Sequence, residues 1–194
     1  MNKRKLEREV SVLSEQISNA HILILEISEI INQFNLNFDV YKEHCNFFTR
    51  HYNLLWNELI HNISRLQDAT PGVVSIANIL ERNMKLDDKM VGRECKIFEK
   101  IKESDTGKKI KVSRNKLNKA HLDGKASINP EKQRKLWEKN KTKLGDVATY
   151  VELLTKGLEV ISFRLDIPIW LFKPNTSIRR NIRKLFKDLK GKKS

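Results

Sequence analysis

Arg114 and His121 have the side chains best suited to chemistry at a phosphate: a permanently charged planar donor, and a ring that exchanges a proton near neutral pH. They stand seven positions apart in the stretch RNKLNKAHLD at 114–123. On a helix, seven steps of about 100° return to within about 20° of the start, so the two share one face with roughly 10.5 Å of rise between them. Ile110 and Leu117 fall on the same stripe, so that face is expected to turn toward a packing surface. There the imidazole can take or give a proton, and the guanidinium can clamp a phosphate through its fork of donors. The plain alternative is an Arg snorkelling at a core edge and a His hydrogen-bonded at a helix end.

The elements that must position this pair read as helices throughout. Leu6, Val10, Leu13, Ile17, Ala20, Ile24, Ile27, Ile31 and Phe34 step by fours and threes, one apolar stripe that Leu23, Leu25 and Ile30 widen. A second helix is expected from about Asp39 to Gln67, with Phe48, Tyr52, Leu55, Leu59, Ile63 and Leu66 as its stripe and Phe47, Trp56 and Ile60 beside it. DATPGVV looks like a restart, with Thr70 as N-cap and Pro71 at the first helical position. A fourth helix from KLDDKM carries Ile97, Phe98 and Ile101; SDTGKK reads as a loop; the fifth helix carries Ile110, Arg114, Leu117 and His121. Pro130 opens another helix, interrupted near Gly145, with the stripe Leu144, Val147, Val151, Leu154, Leu158, Ile161 and Leu165. DIPIWLFKPNTS reads as extended, and the tail has Ile178, Ile182, Leu185, Phe186 and Leu189 at helical spacing. No segment has the period of a strand. The expectation is an all-α, up-and-down bundle of five to six helices over 1–166, then an extended linker and a basic amphipathic helix over 167–194.

Composition narrows the partners. The 194 residues suffice for a real core, and 39% hydrophobic with 32% charged residues excludes a disordered chain. The net charge of +14 favours polyanions, above all nucleic acid, unless the charge merely solvates helix faces. In the tail, Arg179, Arg180, Arg183, Lys184, Lys187, Lys190, Lys192 and Lys193 face only Asp188. This is a nucleic-acid contact or a solvated amphipathic helix; a membrane-surface role has no other support. The start has basic residues without the apolar stretch of a signal peptide, and HILILEISEII is too short and too charged to span a bilayer. Cys45 and Cys95 make no disulfide framework, and the expected setting is a reducing cytoplasm.

Other constellations are thin. His44 and His51 are also seven apart, and His61 follows, but acidic or Cys partners at ligand spacing are missing, so no metal site is expected. His21 reads as a boundary residue. No Gly-rich phosphate loop, Ser-His-Asp arrangement or carboxylate pair stands out, and no cofactor is expected.

Arg114 followed by polar Asn115, then Ala120, His121 and Asp123, resembles the signature of HEPN domains, with six residues between the Arg and the His. Residues 47–69, FFTRHYNLLWNELIHNISRLQDA, are similar to the second helix of the abortive-infection U-type branch of that superfamily. There an aromatic pair opens an apolar helix ending in Arg-Leu-x-Asp, here Arg65, Leu66, Gln67 and Asp68. The resemblance spans about 5–165. It implies a HEPN-like bundle and metal-independent cleavage of single-stranded RNA by attack of a 2′-hydroxyl on the adjacent phosphorus. His121 would be the acid–base residue, Arg114 the phosphate clamp and Asn115 an orienting group, with Lys116 and Lys119 attracting RNA. It further implies a homodimer in which two motifs form one composite cleft, and a toxin or anti-phage effector that an antitoxin protein can neutralise. Two other readings stand beside it: a non-catalytic HEPN-like module that binds RNA or a partner protein, and a helical scaffold whose charge is solubilising.

Overall fold

The computed structural model describes residues 3–84, 96–113, 131, 135, 138–171 and 176–191. The fold is all-α, and no strand occurs among the described residues. Its mast is α1 (Lys3–Leu36), 34 residues long and therefore about 51 Å. The stripe read from the sequence is the one it buries: Leu6, Val10, Leu13, Ile17, Ala20 and Ile27 are inside, and Ile24, Ile31 and Phe34 pack half-buried against the core. Ser14 and Ser18 lie on the buried side because their hydroxyls donate to the carbonyls of Val10 and Ser14, at 2.9 and 2.8 Å.

The helix expected from Asp39 to Gln67 is two: α2 (Phe38–Glu43) and α3 (Cys45–Leu66). They meet at His44, whose φ of −111° and ψ of 24° leave the helical region. The break lets Val40 and Phe48 enter the same small cluster, a tertiary demand that no local signal carries. Beyond it, α3 lays Leu55, Leu59, Ile60, Ile63 and Leu66 against α1. Phe47, beside that stripe, is exposed.

The restart at Pro71 is displaced. Gly72 has φ of +85°, which ends any helix there, and α4 (Ile76–Met84) is capped by Ser75, whose hydroxyl accepts from the Asn78 N–H at 3.1 Å. Thr70 belongs to a turn in which Asp68 accepts from its N–H and its hydroxyl. SDTGKK is a helix start, not a loop. Ser104 caps α6 (Asp105–Val112) by accepting from the Gly107 N–H, and Gly107 presses on α5, described over 96–102. A Cβ at Gly107 would lie 2.3 Å from the Lys102 carbonyl oxygen. In α5, Phe98 and Ile101 are buried while Ile97 is exposed. Ile110 is fully buried, as its stripe requires.

The interruption expected near Gly145 falls at 141–143, before α7 (Leu144–Arg164). This helix buries Val147, Val151, Leu154, Leu158 and Ile161 against α1. It ends with Asp166 at φ of +51° and a bond from the Ile167 N–H to the Ser162 carbonyl. His21 is a boundary residue, as expected. The Thr155 hydroxyl donates to Val151, so its oxygen accepts from His21 Nε2 at 3.0 Å. Residues 167–171 form no regular element, and α8 (Thr176–Gly191) returns to α1, α2 and α3.

Candidate nucleic-acid interface

The cationic helix α8 is held by one aromatic. Phe186 is 1% exposed, stacked on Phe48 with ring centroids 4.6 Å apart, and it also meets Phe34 at 6.1 Å. Ile182 and Leu189 pack beside it, whereas Leu185, expected on the same face, is 42% exposed. Docking by this apolar face fixes which way the charges point. At about 100° per residue, Arg179, Arg180, Arg183, Lys184, Lys187 and Lys190 fall within an arc of about 140° on the other side.

Arg183 closes the arrangement. Its Nε and Nη2 donate to the Glu29 carboxylate at 2.8 and 3.4 Å. Glu29 is only 5% exposed and belongs to a chain of bonds along α1: Gln33 donates to Glu29, and Asn37 donates to Gln33, each at 2.9 Å. The Arg183 hydrogen bond holds the Glu29 carboxyl below its ordinary range despite burial, and Gln33 and the charge of Arg179 add to this. In return the carboxylate raises the Arg183 guanidinium.

Between the last turns of α1 and α8 lies an open groove of about 500 Å³, lined by Asn32, Gln33, Leu36, Asn37, Arg183, Lys187 and Lys190. Its cations and carboxamides can hold an anion and hydroxyl groups. No set of three His, Cys, Asp or Glu side chains among the described residues is placed to hold a metal ion. No described helix is long and apolar enough to cross a membrane.

Arg179, Arg180 and Arg183 thus sit together on α8, Arg183 spending part of its donor fork on Glu29. Arg114, Asn115, Lys116, Lys119 and His121 lie outside the described residues, as does Cys95. Two of the other histidines make ring contacts: His51 stacks on Phe47 with planes 2° apart, and His44 meets the edge of Phe48. Sequence reasoning missed Asn32, Gln33 and Asn37. Nothing local marks them, because the helix across the groove is brought there by the pairing of Arg183 with Glu29, 154 residues apart in the chain. No protein-family model, no curated protein and no solved structure matches this chain.

Proposed function

We propose that this chain is a metal-independent endoribonuclease of the HEPN type, acting on single-stranded RNA as a toxin or anti-phage effector. His121 takes the proton of the 2′-hydroxyl or gives one to the leaving 5′-oxygen. Arg114 neutralises the phosphorane, and Asn115 orients one of them. Lys116 and Lys119 attract the strand, and the basic face of α8 extends the attraction. One such motif supplies too few groups for both proton transfers, so the working form is a cytoplasmic homodimer with a composite cleft, held in check by an antitoxin protein.

The observation that carries this reading is the Arg114–Asn115–His121 constellation in the same strongly basic chain as the Arg65-Leu66-Gln67-Asp68 helix end. Two features of the fold support it. Leu66 is fully buried at the end of α3, and Ile110, four residues before Arg114, is fully buried in α6. The six cations of α8 support RNA binding without cleavage as the second reading.

Purified protein is incubated with single-stranded RNA in EDTA beside His121→Ala and Arg114→Ala. Cleavage to 2′,3′-cyclic phosphate ends, lost in both variants, is expected. RNA binding without cleavage by the wild type would leave the binding module, and no RNA binding at low salt would leave the scaffold. Sedimentation velocity reads the dimer, and a monomer at working concentration counts against the composite cleft.

A further inference from the structure

We infer that the groove between the last turn of α1 and α8 is a backbone subsite for single-stranded RNA, with Lys187 and Lys190 taking the phosphates and the exposed ring of Phe38 stacking a base. This deepens the ribonuclease reading and rests on it only for the choice of polymer.

The charge balance comes first. Arg183 and Glu29 neutralise one another on the groove wall, whereas Lys187 and Lys190 have no carboxylate partner among the described residues. The groove therefore carries two uncompensated cations, with Arg179 one turn away. Arg183 Nη1 makes no bond to a described residue, so part of its fork stays available to an anion. The hydrogen-bonding groups come second. Gln33 is committed on both sides, but the Asn32 carboxamide and the Asn37 carbonyl oxygen are open, neutral groups of the kind that meet ribose hydroxyls. The ring comes third. Phe38 follows the groove residue Asn37 in the chain and is 62% exposed, and exposed rings combined with cations are what hold single strands without reading their sequence. Insertion of α8 into a bilayer is disfavoured by its docking: Phe186 is spent in the core, which leaves mainly charge outward.

The test uses the full chain carrying His121→Ala, so that RNA persists, and a fluorescent 20-nucleotide oligouridylate followed by anisotropy across a salt series. Lys187→Ala/Lys190→Ala is expected to weaken binding at least tenfold and to flatten the salt slope by about 1.4, the value for two phosphates on a single strand. Phe38→Ala is expected to weaken binding about 5- to 100-fold with the slope unchanged. Lys100→Ala/Lys156→Ala removes the same charge from exposed sites elsewhere and should do far less. Circular dichroism confirms that each variant is folded. The inference is overturned if the groove pair behaves like the control pair, or if the His121→Ala parent does not bind the oligonucleotide. It is also overturned if polyglutamate or phosphatidylserine vesicles bind as tightly as RNA and lose the same affinity in the groove variant. Failure of the nuclease reading looks different: groove-dependent binding persists, but wild type with His121 intact leaves the RNA whole.

Discussion

Two arginines cross to α1 from peripheral helices, one near each end of the mast, and they end in different surroundings. Arg82 of α4 grips Glu9 through Nη1 and Nη2 at 3.0 and 2.6 Å, and its Nε donates to the Asn78 carbonyl at 3.0 Å. Arg183 of α8 grips Glu29 through Nε and Nη2. The carboxylates are alike, Glu9 8% and Glu29 5% exposed, and both sit on the buried side of α1. The arginines are not: the Arg82 side chain is 39% exposed and Arg183 59%. All three nitrogens of Arg82 are used within the fold, which makes it a staple. Arg183 keeps Nη1 without a bond to a described residue and has Lys187 and Lys190 for neighbours on a groove wall. The same ion pair is structural where the surroundings consume its donors, and available for binding where they do not.

The comparison breaks most completely at the aromatic that seats α8. Phe186→Ala should cost about 3–5 kcal/mol if α8 unfolds with the rest of the chain. Urea unfolding followed by circular dichroism measures this, and a separate early transition would show α8 leaving alone. Arg82→Ala leaves Glu9 nearly buried without its partner and should cost about 2 kcal/mol, with much of the loss recovered by Glu9→Leu. Arg183→Ala should cost less, because its guanidinium is mostly in water. Equal losses in the two arginine variants, measured by the same unfolding curves, would erase the distinction between staple and wall.

The smallest effect is in pH. Glu29 is held below its ordinary 4.5, so its contribution is fully present above that value and is lost as pH falls through its lowered folded pKa. Glu26, three residues earlier and half-buried, is shifted the other way by desolvation, which outweighs the attraction of His51. It costs stability when ionised, and that cost is relieved as pH falls through its raised folded pKa toward 4.5. Glu29→Gln should therefore remove pH dependence below 4.5, and Glu26→Gln should remove it above, in melts at stepped pH. A Glu29→Gln curve that still tracks the wild type in acid would mean that the α8 pair contributes nothing to the fold.

The all-α class and the long stripes of α1 and α7 were legible because many turns of the same pattern average out local accidents. What escaped depends on single residues or distant partners. Gly72 takes a left-handed conformation that moves a helix start from Pro71 to Ile76, and Ser104 turns an apparent loop into a cap. The break at His44 answers to Phe186, far along the chain. Periodicity placed Leu185 and Phe186 on one face but could not say that only the second would be covered. On the candidate interface, composition and helix phase marked the cations, whereas the three carboxamides opposite them follow only from the docking of α8.

The walls of the groove are made at different times. Glu29 precedes Arg183 by 154 residues, an interval of roughly ten to thirty seconds at ordinary rates of synthesis. Throughout that interval α1 has its carboxamides but no cations across from them. A chain still being translated therefore lacks the cationic wall of this groove, and gains it only when its last described helix folds back onto its first.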